Sequence, residues 1–73
     1  MENFAQRVRS LRIEKGVKQR EMAEFLGIGL RAYQYYEGSV HYPDVPGLIK
    51  LADFFGVSID YLVGRSDSKE FIS

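Results

Sequence analysis

The apolar residues of the chain recur at helical rather than alternating intervals, and strands are not indicated. Phe4, Val8 and Leu11 stand at i, i+4 and i+7, with Arg7, Arg9, Arg12 and Lys15 on the other sides, which predicts an amphipathic helix over residues 3–15. Gly16 supplies its stop. Met22, Ala23 and Leu26 mark a short second helix from about residue 19 to the stop at Gly27, and a third runs from after Gly29 to about Glu37. Only Gly27-Ile28-Gly29 joins these two. Past the loop Gly38–Tyr42, Asp44 can accept from the free amides of the next turn and Pro46 fits a first turn, so a fourth helix begins there. Leu48, Leu51, Ala52 and Phe55 give it a buried stripe up to Gly56. Ser58 then caps a last short helix carrying Ile59 and Leu62 as far as Gly64, and Arg65–Ser73 reads as a frayed tail. The expectation is an all-α, compact five-helix bundle over residues 1–64 with a short C-terminal tail, residues 65–73.

Seventy-three residues allow one small core and no second domain to close a substrate cleft. A composition 45% hydrophobic and 14% aromatic suits a packed interior, and helical spacing assigns Tyr33, Tyr36 and Phe55 to it. With no cysteine and one histidine, His41, neither a disulfide framework nor a multi-ligand zinc site can be built, so no metal and no cofactor are expected. No apolar run nears the roughly 20 residues that span a bilayer, and the chain opens without a basic leader, so the expected location is cytoplasmic. An enzyme fares badly: Ser10, Ser39 and His41 are present, but nothing orders them, and no phosphate-cradling glycine loop exists.

Bulk charge is silent, because ten Lys and Arg balance ten Asp and Glu. Its distribution is more telling: the first 38 residues hold Arg7, Arg9, Arg12, Lys15, Lys18, Arg20 and Arg31, whereas only Lys50, Arg65 and Lys69 follow. An anionic partner should meet the first half. Two short helices joined by a tight glycine-bearing turn, the second exposing a polar face, are the arrangement that offers one helix to the DNA major groove while the other braces it. At about 100° per residue from Arg31, Gln34, Tyr35 and Gly38 fall within about 60°, and Tyr33 and Tyr36 lie opposite.

The segments Arg7-Val8-Arg9-Ser10-Leu11-Arg12, Gly16 to Ile28, Tyr36-Glu37 and Leu48 to Leu62 together resemble the XRE family, the helix-turn-helix domain of Cro and phage repressors, over about residues 4–64. That resemblance implies a bacterial or phage-encoded, nucleoid-associated transcription regulator, usually dimeric, that reads an operator with its third helix. Carried over by position, Leu30, Arg31, Gln34 and Tyr35 look like base-contacting residues. The planar fork of Arg31 suits guanine O6 and N7; Gln34 suits adenine or a phosphate. Leu30 either lies against a thymine methyl or packs half-buried. Tyr35 either touches sugar and base edges or is simply exposed. Lys18, Gln19, Arg20, Gly29 and His41 form the phosphate-facing set, Gln19 looking like the glutamine that also steadies the third helix. Arg12 and Glu37 match a structural ion pair, and Ile59, Tyr61, Val63 and Phe71 a dimer interface.

Two departures matter. Relatives usually carry Thr or Ser where Lys18 and Gly29 stand; lysine cannot cap a helix, so either a phosphate or only solvent meets it. Gly29 either lets the backbone approach DNA or merely forms a tight turn. The loop Gly38–Tyr42 lacks the cations common in relatives, so the salt slope, near 0.9 per phosphate contact, should be shallow. His41 either meets a phosphate when protonated or has no role. The reading is therefore a regulator, a repressor in the first instance, that binds double-stranded DNA at a near-palindromic operator as a homodimer. Its rival is a protein-interaction module such as an antitoxin or adaptor, whose protein partner or anti-repressor the sequence does not name.

Overall fold

A computed structural model describes residues 3–70. Five helices follow in order: α1 (Phe4–Lys15), α2 (Gln19–Leu26), α3 (Leu30–Glu37), α4 (Val45–Phe55) and α5 (Ile59–Leu62). Among the described residues there is no strand. No described helix is long and apolar enough to cross a membrane.

The boundaries follow local chemistry. Asp44 accepts from the Gly47 N–H at 2.9 Å and Ser58 from the Tyr61 N–H at 3.0 Å, so α4 and α5 each begin on a side-chain cap. Gly27 ends α2 with φ 72°, and the Ile28 N–H then reaches back to the Ala23 carbonyl at 3.0 Å. This closure turns Ile28 inward against the core just before α3 begins. At the end of α3 the left-handed residue is Ser39, φ 62°, one position beyond Gly38.

Phe4, Val8 and Leu11 of α1, Met22 and Ala23 of α2, Tyr33 of α3, and Leu48, Leu51 and Ala52 of α4 meet in one core, closed below by Val57 and Leu62. Tyr33 is fully buried, but Tyr36 and Phe55 are only half-buried. The reason is lateral: Tyr36 stands edge-on to both Phe4 and Tyr33 and walls a cleft of about 350 Å³ beneath α4 with Leu26, Ile28, Pro43 and Lys50. Phe55 packs edge-on against Phe54, which in turn lies against Phe25.

The tail is the main departure from expectation. Residues 65–70 fold back over α1 and α5 rather than fraying. Arg7 Nη1 donates to the carbonyls of Tyr61 and Ser66, both at 2.6 Å, and Nη2 to Asp67 at 2.9 Å. The Ser58 N–H donates to the Lys69 carbonyl at 2.9 Å.

Candidate nucleic-acid interface

The site is built around one carboxylate. Glu37, in the last turn of α3, has a side chain 5% exposed and receives donors from three helices. Arg12 of α1 donates Nε at 2.6 Å and Nη2 at 3.2 Å, a bidentate pair, while its Nη1 reaches the Val17 carbonyl at 2.9 Å. The Tyr33 hydroxyl, one turn earlier on α3, donates to Glu37 Oε2, and Gln19 of α2 donates Nε2 to Oε1 at 3.1 Å. Burial alone would raise the Glu37 carboxyl, but the bonds from Arg12, Tyr33 and Gln19 outweigh it and hold the group below its ordinary value. The bond to Glu37 raises Arg12, and burial pushes the Tyr33 phenol well above its usual range. Glu37 and Arg12 form a charged pair completed by the neutral Tyr33 and Gln19, no buried polar atom among them is left unbonded, and together they lock α3 to both neighbours.

The opposite side of α3 faces solvent. Arg31 and Gln34 are exposed, and Leu30 sits at the rim, 36% exposed. Gln34 Nε2 donates to Gln19 Oε1 at 3.2 Å, which joins the outward face to the buried cluster. Tyr35 is half-buried: its ring meets the His41 ring edge-on at 5.2 Å, and its carbonyl accepts from the amides of Val40 and His41. Of the remaining expected residues, Lys18 and Arg20 are exposed at the start of α2, and exposed Gly29 has open space around it. Among the described residues the ion pairs are Arg7–Asp67, Arg12–Glu37 and Lys69–Glu14, which leaves Lys18, Arg20 and Arg31 unengaged. The Lys18 side chain caps nothing; Glu21 instead accepts from the Lys18 N–H at 3.0 Å.

The structure thus joins Gln34 to Gln19 and Tyr35 to His41. It sets Ile59, Tyr61 and Val63 apart, half-buried against their own core, with Phe71 outside the described residues. Tyr61 is further engaged by Arg7, whose guanidinium lies 4.1 Å from its ring, and by the Lys69 ammonium at 5.8 Å. Sequence reasoning missed Arg7 as a tail anchor. It also missed the exposed apolar pair Val45 and Ile49 on α4, 65% and 45% exposed, although their i, i+4 spacing along the edge of the buried stripe was there to be seen.

A short helix locked from behind by an ion pair, with a tight turn to its brace and an arginine and an amide left in water, is the geometry of a helix-turn-helix domain. Residues 5–67 match the family model described as a helix-turn-helix domain, and the chain belongs to this family, in its XRE branch. It is 42% identical over 60 residues to YonR, an HTH-type transcriptional regulator derived from the SPbeta prophage of Bacillus subtilis, covering 82% of this chain and 56% of that protein. To RstR, the cryptic phage CTXphi transcriptional repressor of Vibrio cholerae, it is 37% identical over 65 residues, covering 89% and 59%. A crystal structure of a transcriptional regulator from Listeria innocua superposes with a TM-score of 0.80 at 36% identity, over 96% of this chain and 60% of that one. The chain spans somewhat more than half the length of these relatives. They are transcription regulators, a class without enzymatic chemistry.

Proposed function

We propose that this domain binds double-stranded operator DNA for a transcription regulator, with α3 in the major groove. The observation that carries the reading is the two-sidedness of α3: Tyr33 and Glu37 are held inside while Arg31 and Gln34 stand in water. Arg31 reads guanine through its bidentate fork, Leu30 lies beside it, and the Tyr35–His41 pair flanks the sugar-phosphate backbone. Lys18, Gln19 and Arg20 meet phosphate, with the uncapped amides of α2 and the bare backbone at Gly29 offering donors to the same anion. The operator is near-palindromic, read by a homodimer whose two α3 helices lie about 34 Å apart, one DNA turn. The two-fold contact is assigned to what Ile59, Tyr61 and Val63 leave exposed, and the regulatory sense to repression.

Selection of bound fragments from random DNA tests this. An inverted repeat should be enriched, and Arg31→Ala should relax one symmetry-related base position by about 1–3 kcal/mol. Lys18→Ala should weaken all sequences alike and reduce the salt slope by about one. No enriched motif even at low salt overturns the proposal in favour of a protein-interaction module, a reading that the exposed Val45 and Ile49 favour.

A further inference from the structure

We propose that the cleft beneath α4 is a binding site for a small organic acid, one with a flat apolar body, a carboxylate at one end and a hydroxyl or N–H donor at the other. The inference is independent of the DNA-binding reading and goes beyond it.

The cleft exists because the domain packs in two groups. The principal partners of α3 are α1 and α2, and those of α4 are α1 and α5, so the turn after α2 and the first turns of α4 face one another across a gap. At Gly47 the cleft meets bare backbone, and a Cβ there would stand 2.9 Å from Pro43 Cβ and 3.1 Å from Asp44 Oδ1. The volume, about 350 Å³, lies at the lower end of the range of small-molecule pockets.

The lining is of the kind such pockets have, apolar walls with a few polar groups. Leu26, Ile28, Pro43 and the ring of Tyr36 form the walls, and all four are buried or half-buried, which holds their shape. Three polar groups keep unused capacity. Asp44 gives Oδ1 to the Gly47 N–H, and its other oxygen is left over. The Tyr36 hydroxyl takes part in no hydrogen bond among the described residues, and since no buried polar side-chain atom there lacks a partner, it is open to solvent. Burial and the charge of Asp44 raise this phenol above its ordinary value, so it is neutral and can both donate and accept. Lys50 is exposed and belongs to none of the ion pairs among the described residues.

These groups fix the polarity of the occupant. The charge of Asp44 is compensated by the N-terminal amides of α4, whereas that of Lys50 is not, so the charge the cleft lacks is negative. The free oxygens of Asp44 and Tyr36 call for a donor at the other end. Six residues of α4 separate the two ends, about 9 Å along the helix, a span that one ring with substituents at opposite positions covers. A cation would be repelled at Lys50, and a wholly apolar molecule would leave both ends unpaired.

Titration of the isotope-labelled protein, followed by its amide resonances, tests this. The probe 4-hydroxyphenylacetate should shift Ile28, Tyr36, Gly47 and Lys50 in one saturable process with a dissociation constant of about 1 mM. Phenylacetate, which lacks the donor, should bind about tenfold more weakly. Tyramine, with an ammonium in place of the carboxylate, should leave these resonances unmoved. Tyr36→Phe should weaken 4-hydroxyphenylacetate by about fivefold and phenylacetate not at all, and Lys50→Met should weaken both acids alike by about tenfold. Urea unfolding checks that each variant is folded, and exposed Lys50 carries the test should Tyr36→Phe unfold. Saturable shifts centred on other cations such as Arg9 or Arg20, tyramine binding as tightly as the acids, or no saturation up to about 10 mM each overturns the inference. None of these results touches the DNA-binding reading, which the fragment selection tests separately.

Discussion

At the scale of single residues, Glu37 does most to decide whether α3 is held. Its carboxylate is nearly out of water and compensated by Arg12, Tyr33 and Gln19, so removing it leaves a guanidinium and a phenol without their acceptor. Glu37→Ala should cost about 3 kcal/mol, against a total of roughly 5 kcal/mol for a domain this small. In a thermal melt this appears as a fall of at least about 12 °C. The pH dependence has a definite sign. The folded carboxyl is held below the ordinary value of 4.5, so its contribution is complete above that pH and is lost as acid carries the pH down through the lower folded value. The stability gap between wild type and Glu37→Gln, measured by urea unfolding, should therefore shrink on acidification below about pH 4.5. How much of this is written in the sequence varies by contact. Tyr33 and Glu37 stand one turn apart on one helix, so their proximity follows from spacing alone. The meeting of Gln34 with Gln19 depends on the crossing of α2 and α3, and that of Tyr35 with His41 on the path of a loop; neither leaves a periodic trace.

At the scale of elements, the sequence carries its helix ends plainly, because stops and caps are local chemistry. Gly16, Gly27 and Gly56 all close helices in the left-handed conformation, and Asp44 and Ser58 open the last two. What local chemistry does not reveal is the end of α3, where Gly38 keeps negative φ and Ser39 takes the left-handed turn instead. The start of α2 sets stability against binding. Glu21 already accepts from the Lys18 N–H, which is half of a capping box, and lysine cannot provide the other half. Lys18→Ser should complete it and raise stability by about 1 kcal/mol, visible as a higher unfolding midpoint. The same substitution should weaken binding to every DNA sequence and flatten the salt dependence, since one cation leaves the proposed phosphate-facing set. Opposite movement of the two measurements is the expected signature; parallel movement would mean that Lys18 meets no phosphate.

At the scale of the whole molecule, the five-helix architecture was legible and the course of residues 65–70 was not. Pattern assigns Arg7 to the wet side of α1, and the carbonyls of Tyr61 and Ser66 that receive it are backbone groups, which every residue has. Its side chain is 16% exposed, so it acts as an internal tie rather than a solvated charge. Arg7→Ala should release the tail and with it the bond from the Ser58 N–H to Lys69, which is measurable as amide hydrogen exchange at Ser58 faster by about tenfold. Exchange of the core amides of Val8 and Leu51 should change far less, because the tail opens as a separate local unit.

The coupling of Gln34 to Gln19 also bears on how such a domain changes its target. Leu30, Arg31 and Tyr35 donate no side-chain bond to the locked cluster, so each can be exchanged for the side chain of another family member as an independent graft. Position 34 is tied to position 19: a newcomer without a donor leaves the Gln19 oxygen to solvent, and swapping 19 and 34 as one cassette keeps their bond.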